Sequence, residues 1–428
     1  METTKQKKAS RHKSSRPWPR MSHEQLLTDV FQAYYDARRN KRNTASQLRF
    51  EMNLEANLVE LTRELETGTY QVGRSVCFMV TKPVRREIFA ADFRDRVVHH
   101  LLYNWLSPLF ERTFINDCYS CRKARGTLYG VRRTLHHMRS ATRNFSRRAY
   151  ILKMDIQGYF MAIDRRRLLD ILFSTLDRHA LRRCGPGGKR WGEAIDYQLV
   201  KPLLEKVVMN DPTQGCLVKG SRSEWKGLPP DKSLFHARSG CGLPIGNLTS
   251  QLFSNVYLTQ FDHWMKRHCR QRGYGRYVDD MMVVGTSAPA LARLMRQAEA
   301  QLAAHYGLRL HPRKRLLQRA DRAITVLGMR LHRGTVLPGK RTAHNLRLAL
   351  AAYARQMGHP GAGSDGETAM SHLPRLNSYF GLLRHCAAAR LRQSIGKQAA
   401  DCPRSPLRLS SNGKKMLAPA LPPDGQQP

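Results

Sequence analysis

The sequence predicts an α+β fold, on three observations. Residues 275–285 form an apolar run bounded by Gly275 and Gly285 and interrupted by Asp279-Asp280, the pattern of a buried strand. Residues 149–156 form a second apolar run, which ends in Asp155-Ile156. Around these runs, apolar residues recur mainly at helical spacing. Two adjacent acids inside an apolar strand cost several kcal/mol unless a cation or a partner satisfies them. A tight turn that carries Asp-Asp is the alternative reading of the same residues.

Taken in order, residues 1–20 are basic and polar and predict a disordered arm. From Leu26 to Leu65 the apolar residues Leu26, Val30, Ala33, Tyr34, Leu54, Leu58, Leu61 and Leu65 follow helical spacing, with Gly68 as the stop. Residues 72–90 alternate and predict a strand pair about Lys82-Pro83, and Asp92 to Phe110 returns to a helix. Residues 184–242, rich in Gly, Pro, Lys and Ser, predict a partly helical insertion with long loops anchored by Trp191 and Trp225. Its Gly185-Pro186-Gly187-Gly188-Lys189 lacks the spacing of a phosphate loop and is read as a turn. Residues 247–268 predict a helix with Phe253, Tyr257, Phe261 and Trp264 on one stripe, and residues 324–337 a hairpin turning at Arg333-Gly334. Residues 343–358 and 371–398 read as helical, and from Cys402 onward prolines and small polar residues predict a disordered tail.

Composition narrows the partner. Seventy-three Lys+Arg against 33 Asp+Glu give a formal charge of +40 over 428 residues. Spread along the whole chain, that excess implies a polyanion, most commonly nucleic acid. The N-terminal segment lacks the apolar core of a secretory signal, and no apolar run reaches the ~20 residues of a membrane span. Nine cysteines without regular spacing suit a reducing, cytoplasmic compartment. Cys118-x-x-Cys121 upstream of His136 and His137 lacks a second ligand pair, so buried thiols are preferred over zinc.

The acids carry the chemistry. Asp155 from one strand and Asp279 and Asp280 from another would converge on two divalent cations, an arrangement suited to nucleotidyl transfer. Between them lies Leu243–Gln251, where Gly246 permits a close backbone approach to substrate and Asn247 or Thr249 is placed to cap the next helix.

In order and spacing these segments resemble the reverse transcriptases over about residues 70–335. Asp155-x₄-Phe160 is similar to their motif A, the Gly246 segment to motif B, and Tyr277-Val278-Asp279-Asp280 to motif C. Gly307–Lys314 resembles motif D and Val326–Leu331 the primer grip, motif E; Arg86 with Asp92–Val98, and Tyr119–Arg122 with Gly126, resemble fingers segments. Ile245-Gly246-x₃-Ser250-Gln251, Trp225–Phe235 and Leu376–Gly381 resemble the enzymes of diversity-generating retroelements within the group II intron-like reverse transcriptases.

The resemblance implies a right-hand polymerase: a basic arm (1–20), N-terminal helices and fingers (21–148), a palm with an antiparallel sheet and an insertion at 184–242 (149–334), a helical thumb (335–400) and a Pro-rich tail (401–428). It implies two Mg²⁺ held by Asp155, Asp279, Asp280 and the Ile156 carbonyl. Lys314 would protonate pyrophosphate, Arg86 and Lys82 would meet the triphosphate, and Phe160 would exclude ribose. Ile245, Gly246 and Gln251 would line the nucleotide site. The implied partners are template RNA, the RNA–cDNA duplex, dNTPs and a small basic accessory protein, in a bacterial or phage setting. The implied activity copies a template-repeat RNA with errors opposite adenine, for targeted gene diversification. No nuclease or maturase region is expected after residue 340. A retron, phage-defence or group II intron-type enzyme and an inactive RNA-binding scaffold remain as alternatives.

Overall fold

The structure, a computed structural model, describes residues 19–39, 44–81, 84–183, 188–358 and 365–418. The expected basic arm lies outside the described residues except for Pro19 and Arg20, and Lys82 lies outside them altogether. In chain order, helices α1 (His23–Arg38), α2 (Ala45–Glu51) and α3 (Leu54–Thr67) lead to strands β1 (Val76–Val80) and β2 (Arg86–Ala90) and to helix α4 (Phe93–Glu111). Helix α5 (Thr127–Thr142) precedes β3 (Tyr150–Asp155), α6 (Tyr159–Ala162), α7 (Arg165–His179), α8 (Trp191–Ala194), α9 (Tyr197–Met209) and β4 (Leu217–Val218). Then come α10 (Leu248–Tyr257), α11 (Thr259–His263), β5 (Gly273–Tyr277), β6 (Asp280–Gly285), α12 (Ala288–Tyr306) and β7 (Leu316–Arg319). Strands β8 (Ile324–Val326), β9 (Met329–His332) and β10 (Thr335–Pro338) are followed by α13 (Lys340–Met357), α14 (Asp365–Leu383) and α15 (Ala389–Ala400), with β11 (Arg408–Leu409) and β12 (Met416–Leu417) last.

The chain forms two compact units. The first draws on residues 1–114, 158–259 and 306–308. Ser22 caps α1, its hydroxyl accepting from the Gln25 amide, and Leu26, Val30, Ala33, Tyr34 and Ala37 bury one stripe of that helix against α4. Gly68 ends α3 in the left-handed conformation at φ 74°, which glycine adopts without a Cβ clash. Asp92 caps α4. β1 and β2 pair antiparallel from Val76↔Ala90 to Val80↔Arg86, and β4 adds a parallel pairing to β1. Residues 188–242 hold α8, α9 and β4, with short 3₁₀ turns between β4 and residue 236. Both tryptophans are tied by their indole N–H, Trp191 to the Trp105 carbonyl at 3.1 Å and Trp225 to the Glu87 carboxylate at 2.7 Å.

The second unit draws on residues 115–157, 260–305 and 309–428. Its centre is an antiparallel sheet in the order β5-β6-β3-β7, with α5 packed on β5 and β6. A three-stranded meander β8-β9-β10 turns at Leu327-Gly328 and at Arg333-Gly334, all four residues at positive φ as tight primed turns require. The C-terminal helices share one apolar cluster that includes Leu346, Tyr353, Leu376, Phe380 and Ile395.

Three readings of the sequence are corrected. The run 275–285 is a hairpin, β5 and β6, because its acids sit where the chain reverses. Residues 371–398 are two helices separated at 384–388. Residues 401–418 are ordered: Leu407 and Met416 are buried in the helical cluster, and both polar groups of the Asn377 amide bond the Met416 backbone, at 3.0 and 2.7 Å. Composition misled here, since two apolar side chains and one amide suffice to dock the segment. A chain ending at residue 400 is therefore expected to be less stable than one ending at 418, by roughly 2–5 kcal/mol for the two lost apolar anchors, and to melt at a lower temperature; calorimetry on both chains checks this.

Candidate active site

Asp155 closes β3 directly opposite Asp280, which opens β6. Because Tyr277 pairs with Asp280, Val278 and Asp279 are the two central residues of the β5–β6 turn. Of these, Val278 alone has positive φ, at 56°, the pattern of a type II′ turn whose usual first residue is glycine. A β-branched residue there costs about 1–2 kcal/mol. Its backbone is held on both sides. The Val278 amide donates to Ser120 Oγ at 3.1 Å, and the Arg276 guanidinium donates to the Val278 carbonyl at 2.9 Å.

Charge is distributed unevenly among the three acids. Lys314 Nζ donates to both oxygens of Asp155, at 2.9 and 3.0 Å, and Lys153 Nζ lies 3.2 Å from Asp280 Oδ1. Lys314 reaches back because the Asp155 carbonyl accepts from the His311 amide and the His311 carbonyl from the Lys314 amide. Burial pulls the Lys314 ammonium down, but its bonds and attraction to Asp155 outweigh that and hold it above the usual lysine value. Burial and the neighbouring Asp155 and Asp280 push Asp279 up to about 6.

Among the described residues, no three His, Cys, Asp or Glu side chains are gathered into a ready-made metal cluster. Lys314 and Lys153 contact oxygens of Asp155 and Asp280, two of the carboxylates expected to hold the ions. The donor chemistry nevertheless fits a hard divalent cation. All the side-chain ligands are carboxylates, and Asp279 is held against two like charges that a cation would relieve. Ile156, whose carbonyl was assigned to the same site, forms an antiparallel bridge with Leu310.

The residues expected to meet the nucleotide lie in the first unit. Arg86 opens β2, exposed, and Gln251 is exposed in the first turn of α10. Phe160 and Ile245 pack together against a buried cluster of Cys77, Phe89, Met161 and Leu234. The Ile245 carbonyl accepts from the Phe89 amide at 2.9 Å. Gly246, at φ 135°, lies so close to β2 that a Cβ would stand 2.8 Å from the Phe89 carbonyl oxygen. The close approach that Gly246 makes here is to β2. Asn247 occupies the cap position of α10, but its side-chain oxygen meets the Ala91 amide at 3.4 Å, and Thr249 bonds buried His99 at 2.8 Å.

Several residues that shape these sites carry no motif. Glu87, buried next to Arg86, accepts from Trp225, from Ser233 at 2.8 Å and from the Leu234 amide at 2.6 Å. Arg276 is fully buried and pairs with Asp262 through Nε at 2.8 Å and a terminal nitrogen at 2.6 Å. For Arg276, a charged residue inside an apolar run was the available signal; Glu87, which follows Arg85-Arg86, offered none.

A family model described as reverse transcriptase (RNA-dependent DNA polymerase) matches residues 81–331, more than half of the chain. The chain belongs to the reverse transcriptase family. As the family model describes it, this is an RNA-directed DNA polymerase domain, and its mixed architecture of sheets and helices is that of the family. No curated protein matches it. Among solved structures it is similar to telomerase from Candida albicans in complex with a TWJ fragment of telomeric RNA, at 11% identity over 83% of this chain and 66% of that one, with a TM-score of 0.43. It is also similar to apo telomerase from Candida tropicalis, at 11% identity over 77% and 57%, with a TM-score of 0.45. The chain spans less than two thirds of the length of these telomerases. No helix among the described residues is long and apolar enough to cross a membrane.

The raised Asp279 has a consequence for stability. Its folded-state value near 6 exceeds the ordinary 3.8, so the folded protein binds this proton more tightly. Stability is lost as pH rises from about 4 to 6, and the full penalty persists above. In EDTA, Asp279→Asn is expected to stabilise the protein at pH 7 by about 1–3 kcal/mol, reduced by solvent screening at the partly exposed carboxylate, with no gain below pH 4. Melting curves across pH check this.

Proposed function

We propose that this chain copies a template RNA into cDNA with frequent errors opposite adenine, as part of a system that diversifies a target gene. The observation that carries the finer reading is Ile245. Reverse transcriptases of retroviral and group II intron type carry Gln-Gly at this point, where this chain has Ile245-Gly246 followed by Ser250-Gln251. Ile245, like Phe160, packs against an apolar cluster, and its hydrocarbon side chain offers no hydrogen bond with which to check a base or sugar. Apolar contacts discriminate by only ~1–3 kcal/mol, whereas unpaired polar groups reject wrong substrates far more strongly.

The residues divide the work as follows. Asp155, Asp279, Asp280 and the Ile156 carbonyl would hold two Mg²⁺ ions, which supply Lewis-acid activation of a primer 3′-hydroxyl and offset charge on the departing pyrophosphate. Lys314 keeps its proton at neutral pH and is the donor for that leaving group. Exposed Arg86 meets the triphosphate through a planar guanidinium. Phe160 opposes a ribose 2′-hydroxyl. A formal +40 charge suits a template RNA, its cDNA duplex and dNTPs, and the reading also includes a small basic accessory protein.

Purified protein given its adjacent genomic RNA and magnesium is expected to yield cDNA whose errors concentrate opposite adenine, with no product from Asp279→Ala and fewer such errors from Ile245→Gln. Faithful cDNA from the native chain would move the assignment to a retron, defence or intron-type enzyme. An unchanged error spectrum in Ile245→Gln would overturn the role of Ile245. Separately, Phe160→Ala is expected to raise ribonucleotide incorporation relative to deoxynucleotide by about 10- to 100-fold, measured by single-nucleotide extension.

A further inference from the structure

The Val278-Asp279 turn is strained, and it is held by Ser120, distant in sequence, and by Arg276, two residues before Val278. Residues 117–119 run beside β5: the Arg276 amide donates to the Asp117 carbonyl at 2.8 Å, and the Tyr119 amide to the Arg276 carbonyl at 2.9 Å. That bridge delivers the buried Ser120 hydroxyl to the Val278 amide. On the other side, the Arg276 guanidinium reaches the Val278 carbonyl while anchored to Asp262, which the Tyr274 hydroxyl also bonds at 2.6 Å. Glycine would adopt this turn without help, and valine does not. The backbone conformation that sets the direction of Asp279 is therefore imposed from outside the turn.

We infer that Ser120 and the Arg276–Asp262 pair are positioning residues that clamp the Val278 peptide groups and so aim the Asp279 carboxylate for divalent-cation binding. This rests on the reading of Asp155, Asp279 and Asp280 as the cation site. Each clamp residue acts through the backbone of the turn, so its loss should weaken cation binding before it affects nucleotide binding.

The test is Mn²⁺ titration of the full chain, with free ion read by electron paramagnetic resonance, so that it does not depend on polymerase activity. Ser120→Ala is expected to weaken Mn²⁺ binding by about 5- to 10-fold, the loss of one neutral hydrogen bond. It should lower kcat at subsaturating metal while leaving KM for dNTP unchanged. Ser120→Thr, which keeps the hydroxyl, should bind Mn²⁺ like the native chain. Val278→Gly placed in the Ser120→Ala background should restore binding, because a glycine turn needs no clamp. If Ser120→Ala does not fold, Ser120→Cys, a weaker acceptor of similar size, is read in its place. A lower melting temperature with unchanged Mn²⁺ affinity would overturn the inference, as would a failure of Val278→Gly to rescue. If the native chain bound Mn²⁺ no better than Asp279→Asn, the cation-site reading itself would fail.

Discussion

Mutual repulsion of three carboxylates at one end of a four-stranded sheet is the constraint to which much of the second unit answers. Antiparallel register sets Asp155 against Asp280, and the β5–β6 turn adds Asp279. Left alone, such a group would distort the sheet or hold protons. The protein meets it with Lys314 on Asp155 and Lys153 on Asp280, leaving Asp279 as the acid with the raised value. A lysine that neutralises an acid would also compete with any cation for its oxygens.

A second constraint is conformational. The chain places valine where the turn favours glycine, and the fold supplies the difference through a fully buried ion pair. Breaking such a pair by removing one partner typically costs about 3–5 kcal/mol, since the remaining charge is left buried. Arg276 and Asp262 are thus structural as well as directional. The arrangement illustrates how strain at a functional turn is maintained by surroundings that over-determine it.

The first unit solves a different problem, that of holding a loop rich in glycine and proline against a short strand pair. Glu87 gathers three donors from residues 225–234, and Gly246 and Ile245 lie against the Phe89 peptide. Phe160 and Ile245 owe their shared environment to these two attachments. Arg86 is left exposed at the start of the same strand whose next residue is buried.

Much of this was legible in the sequence. Apolar periodicity located α1, α3, α4, β1 to β3 and the β9–β10 hairpin, with Gly68 marking the end of α3 and Arg333-Gly334 the hairpin turn, because those signals are local. The identities of Asp155, Asp279 and Asp280 were readable for the same reason: acids in apolar runs are conspicuous. The reversal at Val278 was not readable, since valine is a strand former and its left-handed conformation is enforced by Ser120, more than 150 residues away. Nor was the docking of residues 401–418, which depends on Asn377 meeting one backbone segment. By itself, then, the sequence determined the elements, the acids and the excess of positive charge, all properties of neighbouring residues. Only the tertiary structure decided which lysine neutralises which acid, what clamps the turn and what Gly246 approaches, because hydrogen bonds and ion pairs between distant residues leave no periodic trace in the chain.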